Sequence, residues 1–143
     1  MKNRVFILVA MIVATLSLSS CAKVKWVPTF ELEVDYDVLS LPANVATEGG
    51  SYYTAYFPIW TIGSWAAELT IPEEAGTWIG LSVENDKPAG TTASGVGSVK
   101  NYVTYMPIYF MTNGAQEART ATLRVYRTDK DLECITVIKQ LGR

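Results

Sequence analysis

Beyond residue 35 the chain alternates apolar and polar residues in short runs, and no segment sustains a helical period. The clearest run places Trp65, Ala67, Leu69 and Ile71 on one side and Ala66, Glu68 and Thr70 on the other, the pattern of a strand with one buried face. A second run sets Ala121, Leu123 and Val125 against Thr120, Thr122, Arg124 and Tyr126. Together the runs predict strands over 36–41, 51–57, 65–71, 78–83, 101–112, 119–128 and 133–140, punctuated by Gly49-Gly50, by the 72–76 turn and by Asn113-Gly114, a tight hairpin signal. Residues 84–98 hold few large apolar groups and read as a long loop. Residues 58–64 lack alternation and read as a loop that exposes Trp60. Pro107 has no N–H to give a ladder, so it predicts a bulge or an edge position. About seven strands with no internal repeat predict an all-β domain folded as a two-sheet sandwich.

The N-terminal pattern is different. Lys2 and Arg4 precede an unbroken apolar run from Val5 to Leu18. Those 14 residues would span about 21 Å as a helix, short of the ~30 Å hydrocarbon core, so they read as the apolar stretch of a secretory signal. Leu18-Ser19-Ser20-Cys21 resembles a bacterial lipobox, in which an apolar and two small residues precede the lipid-bearing cysteine. The expected organisation is a lipoprotein signal peptide over 1–20, lipidated Cys21 and a tether over 21–35, and the sandwich over 36–143. Within the tether, residues 29–34 either extend the stalk or start an edge strand.

Composition narrows the chemistry. The chain carries 12 basic and 14 acidic residues; without Lys2 and Arg4 the exported part is near −4, which argues against nucleic acid and against an electrostatic membrane patch. Membrane contact would come from acyl chains on Cys21. There is no histidine, which removes Ser-His-Asp and Cys-His nucleophilic sites and the commonest transition-metal ligand. With Cys21 lipidated, Cys134 has no partner in the chain and reads as a buried small hydrophobe.

Aromatic density is the feature that points to binding: four Trp, eight Tyr and four Phe. Pyranose C–H groups stack on exposed π-faces, and Tyr52 and Tyr56 share strand parity with Thr54, so Tyr52, Tyr56 and Trp60 are the candidate glycan-binding residues. Aromatics also suit strand packing, which sets a structural reading beside the functional one. The carboxylates Glu73, Glu74, Asp86, Asp129 and Asp131 fall in turns and read as solvated, with no catalytic pair assigned and no metal or cofactor implied.

Gly49-Gly50, Trp65, Gly76-Thr77-Trp78-Ile79, Asn113, Arg119-Thr120-Ala121-Thr122-Leu123 and the closing Val137-Ile138-Lys139-Gln140-Leu141-Gly142 stand in the order of BACON-type domains, which the chain resembles from about residue 36 to 143. These are immunoglobulin-like modules named as Bacteroidetes-associated, carbohydrate-binding and often N-terminal. The 84–98 segment and Pro107 depart from the usual pattern. The resemblance implies an immunoglobulin-like β-sandwich and a non-catalytic module that binds glycan, mucin or polysaccharide. The alternative is a structural or spacer lipoprotein that contacts an envelope protein partner. Ala22-Lys23-Val24-Lys25 lacks an acidic cluster, which favours the periplasmic face of the outer membrane over the cell surface.

Overall fold

The computed structural model describes residues 31–43 and 51–143; the expected signal peptide, Cys21, the expected tether through Phe30 and Gly49-Gly50 lie outside the described residues. The strands in chain order are β1 (Glu33–Val34), β2 (Val38–Leu41), β3 (Tyr53–Trp60), β4 (Gly63–Thr70), β5 (Ile79–Gly80), β6 (Ser82–Glu84), β7 (Lys87–Ala89), β8 (Thr92–Gly97), β9 (Val103–Phe110), β10 (Arg119–Arg127) and β11 (Glu133–Gln140), with one 3₁₀ turn at Glu73–Ala75. They form an all-β, immunoglobulin-like sandwich. One sheet runs β1-β3-β9-β5, the other β2-β11-β10-β4-β8, and β6-β7 is a separate ribbon. The strand number exceeds seven because the edges β1 and β5 have two residues each and the ribbon strands three. All described pairings are antiparallel except β2 with β11. β1 makes 29–34 an edge strand in part, so ordered sheet begins before residue 36.

The period-2 alternation survives in the packing. Trp65, Ala67 and Leu69 of β4 and Ala121, Leu123 and Val125 of β10 face inward against Phe57, Ile59, Trp78, Met106, Ile108 and Ile138. Burying each large apolar side chain contributes roughly 1.5–3 kcal/mol, so this slab between the sheets dominates stability. Both Trp65 and Trp78 lie in it, and their indole N–H groups find no acceptor. Cys134 lies on β11 and is half-buried beside the Leu32 carbonyl; burial first, then the carboxylates of Glu33, Asp37 and Glu133, push its thiol pKa up, away from the reactive thiolate.

Four expectations change. Residues 84–98 are not a loop: Asn85 and Asp86, at φ 50° and 59°, turn β6 into β7, and β8 then pairs with β4. Two consecutive left-handed residues define a type I′ turn, which Asn and Asp tolerate. The small residues of β8 answer tertiary contacts, since a Cβ on Gly95 would stand 2.7 Å from the Trp65 ring. Residues 58–64 are not a loop either; β3 runs to Trp60 and only Thr61 and Ile62 separate it from β4. Asn113-Gly114 is no hairpin, because β9 and β10 belong to different sheets and the segment crosses between them. There Asn113 is buried, its Nδ2 donating to the carbonyls of Glu117 and Leu141 and its Oδ1 accepting from Ala115 N–H.

Pro107 causes no bulge. Thr61 N–H donates to Tyr102 C=O at 2.9 Å, which fixes the hydrogen-bonding alternation along β3 and β9. By that alternation Pro58 and Pro107 aim their nitrogens away from each other's strand, towards sides where β1 and β5 have already ended. Each proline therefore sits where no donor is required.

One pole of the sandwich is tied by a buried arginine. The Arg127 guanidinium holds Asp129 through Nε (2.9 Å) and Nη2 (2.8 Å), and its Nη1 donates to the Glu31 carbonyl at 3.0 Å. Gly63, at φ +126°, leaves the room the guanidinium fills. Lys130 adds an ion pair to Glu31 at 2.8 Å. Hydrogen bonding from Arg127 lowers the Asp129 pKa, and hydrogen bonding from Lys130 lowers that of Glu31. A lowered folded-state pKa gives stability that is present at neutral pH and lost as pH falls through the ordinary carboxylate range and below it. The melting-temperature gap between wild type and Asp129→Asn is therefore expected to be open at about pH 7 and closed near about pH 2, as thermal melts across that range will show.

Candidate functional site

The outward face of the four-stranded sheet collects aromatic residues. Register places Thr54 opposite Tyr109, Tyr56 opposite Pro107, Pro58 opposite Tyr105 and Trp60 opposite Val103. All four are non-hydrogen-bonded pairs, in which Cα atoms approach to about 4.5 Å and side chains stand closest. Inward-facing Phe57, Ile59, Met106 and Ile108 between them are fully buried, so the sheet has one core face and one outward aromatic face, open at its centre and closed over Pro58. The openness is large for the central tyrosines: Tyr56 is 64% exposed and Tyr105 63%.

The three candidates from the sequence meet on this face. Tyr52, just before β3, packs edge-on against Tyr109 with ring centroids 5.5 Å apart and planes at 85°. Tyr56 stands at the centre. Trp60 closes the row, half-buried, with its ring 6.0 Å from that of Tyr102 and tilted 32° to it. The Trp60 indole N–H donates to Asp35 Oδ1 at 2.7 Å, which fixes the ring beside a carboxylate. The rings thus share a face without lying in one plane, and the Tyr52–Tyr109 pair presents an edge as well as a face.

Sequence reading missed Tyr105, Tyr109, Pro107 and Asp35 as members of this face. Strand parity was available for each, but the register that sets β9 beside β3 is a long-range pairing that no local pattern encodes. The turn carboxylates are dispersed over different connections: Glu73 and Glu74 in the 3₁₀ turn, Asp86 in the β6–β7 turn, Asp129 on Arg127. No group of three or more His, Cys, Asp or Glu suited to a metal ion occurs among the described residues. No helix among them is long and apolar enough to cross a membrane.

The other sheet presents a polar outward face. Arg124 bridges Glu68 and Glu133 and lies 4.3 Å over the Tyr126 ring, whose hydroxyl donates to Glu68. At its margin β8 is an edge strand, paired among the described residues with β4 alone. Leu69 N–H donates to Thr91 C=O at 2.7 Å, so by alternation Thr92, Ser94 and Val96 direct their backbone groups away from the sheet.

The class defined by the fold is an all-β two-sheet sandwich. No protein-family model matches the chain, and no curated protein matches it. Among solved structures it is similar to a Bacteroides ovatus GH5 xyloglucanase in complex with a XXXG heptasaccharide, at 20% identity and a TM-score of 0.49. The alignment covers 79% of this chain and 19% of that enzyme.

Proposed function

We propose that the protein is a lipid-anchored, non-catalytic binding module of the cell envelope, of the BACON type, and that its aromatic face takes glycan. The observation that carries the reading is the convergence of Tyr52, Tyr56 and Trp60 on one outward face, extended by Tyr105, Pro107 and Tyr109 of β9. Stacked pyranose C–H groups need such exposed rings, and an open sheet face admits an extended chain. In this reading Cys21 carries the lipid that holds the domain at the outer membrane, the periplasmic side being favoured; protease treatment of intact cells against lysed cells reports the side.

Binding is tested on a glycan array and by titration with a retained glycan. Trp60→Ala and Tyr56→Ala are each expected to weaken binding about tenfold or more, as loss of a key aromatic contact does. Tyr56 is mostly exposed, so its replacement should leave stability within about 0.5 kcal/mol of wild type, and the loss is then one of contact. An array without hits from folded protein, together with capture of one defined envelope protein, removes the glycan reading.

The second reading, a structural lipoprotein with a protein partner, draws on β8. Residues 88–99 hold no charged side chain, Val96 is 72% exposed, and the edge offers the unpaired backbone of Thr92, Ser94 and Val96. Edge strands are usually guarded by charge, proline or brevity, and a partner strand could add here by β-augmentation.

A further inference from the structure

The aromatic face has a distinctive charge pattern. Along β3 and β9 its outward positions carry no charged side chain. β1 lies beside β3, and its register sets Glu33 opposite Trp60, so Glu33 emerges on the same face. Asp35 follows β1 and accepts the Trp60 N–H. Glu33 and Asp35 are both exposed. The charges contributed by the first edge of the face are therefore two carboxylates, while Lys87 and Lys100 lie on the β6–β7 ribbon and in the turn before β9.

We infer that this face selects neutral, equatorially substituted pyranose chains and turns acidic glycans away, with Asp35 the hydroxyl acceptor beside Trp60. The inference rests on the glycan reading above and narrows it, setting aside sialylated and sulfated mucin chains. A uronate, sialate or sulfate laid along β3 would meet Glu33 and Asp35 and find no guanidinium to pair with on β3 or β9. An equatorially substituted ring shows its axial C–H bonds above and below, and these meet Tyr and Pro rings without burying a hydroxyl. An axial oxygen pressed on the same surface, a hydroxyl or the glycosidic oxygen of an α-linkage, would lose its water and gain no partner. Asp35 supplies the complementary polar contact. Its Oδ1 is held by the Trp60 N–H, which orients the carboxylate; in this proposal the other oxygen, Oδ2, accepts a charge-assisted hydrogen bond from a hydroxyl of a sugar at the indole.

The test uses the full-length protein in neutral detergent and affinity electrophoresis through three polymers. Hydroxyethylcellulose and carboxymethylcellulose share a β-1,4-glucan backbone and differ in charge; pullulan is neutral but α-linked. Wild type is expected to bind hydroxyethylcellulose about tenfold more tightly than carboxymethylcellulose at low salt, the size of effect two nearby surface charges give, and to bind pullulan weakly. Glu33→Gln/Asp35→Asn should narrow the neutral-to-acidic ratio to about threefold or less, and Asp35→Ala should weaken hydroxyethylcellulose binding about tenfold. Circular dichroism confirms that each variant is folded. Equal or tighter binding of carboxymethylcellulose overturns the charge selection while glycan binding stands, and a ratio unmoved in the double variant does the same. Pullulan bound as well as hydroxyethylcellulose overturns the equatorial preference. Binding to none of the three, with a blank glycan array, removes the glycan reading and this inference with it.

Discussion

Arg119→Ala is expected to destabilise the domain by about 2–4 kcal/mol, a large share of the 5–15 kcal/mol that holds a typical domain folded. Arg119 opens β10 at the pole opposite the Arg127 end of that strand. Its Nε donates to Gln140 Oε1 at 2.8 Å, and its Nη2 to the carbonyls of Met111 and Thr112 at 3.0 and 3.1 Å. The guanidinium carbon stands 4.5 Å from the centre of the buried Trp78 ring. Gln140 in turn donates to the carbonyls of Pro42 and Met111, so one pair of side chains satisfies the ends of two segments, those that follow β2 and β9. Removing the guanidinium strands Gln140 Oε1, which is fully buried, and frees one face of Trp78. Arg119→Lys separates charge from geometry: an ammonium cannot span the same acceptors, so about half of the loss should remain. Urea unfolding measures both, and near-UV circular dichroism reports Trp78. A cost under about 1 kcal/mol for Arg119→Ala would sink this account of the pole.

Four of the motif residues meet at that pole. Asn113, Arg119 and Gln140 are joined through the carbonyls of 111, 112 and 141, and Trp78 is roofed by Arg119. These four residues, part of the pattern on which the expected resemblance to BACON-type domains rests, close one end of the sandwich. The proposed glycan face lies elsewhere, on outward positions that the motif does not include.

Legibility in the sequence followed the same division. Trp65-Ala67-Leu69 and Ala121-Leu123-Val125 were readable because a strand with one buried face writes its period directly into the residues. Parity likewise put Tyr52 and Tyr56 together, and it holds for Trp60 once β3 is known to reach it. What escaped was set by contacts distant in the chain. β8 looked like loop because Gly95 and Gly97 are demanded by Trp65 and Thr61 rather than by local propensity. The segment around Trp60 looked irregular because Pro58, although outward-facing, is buried, which blurs the alternation. Arg127 gave no sign of burial, since only the fold brings the Glu31 carbonyl, Thr61 and Asp129 to its guanidinium.

Gly97→Ala carries the second large effect, and here the obstacle is backbone. A Cβ at Gly97 would overlap the Thr61 carbonyl oxygen and crowd its carbon at 2.8 Å. A flexible side chain could swing aside; a carbonyl pinned on several sides cannot. Thr61 is fully buried, its N–H is bound to Tyr102 C=O, and its hydroxyl donates to the Glu31 carbonyl at 2.6 Å while lying 3.4 Å from Arg127 Nη1. Relief must therefore come from β8 peeling away from Gly63 and Ser64, which uncovers Trp65. The expected cost is about 3–5 kcal/mol, comparable to losing a large core side chain. Gly95→Ala should cost less, because its Cβ meets the Trp65 ring at 2.7–3.0 Å, and a ring can tilt. Gly114→Ala, with nothing within 4 Å of its Cβ, should stay within about 1 kcal/mol of wild type. Urea unfolding of the three variants should rank them Gly97, Gly95, Gly114 in falling cost. A Gly97→Ala protein as stable as Gly114→Ala would show that β8 does not close on the β3–β4 turn.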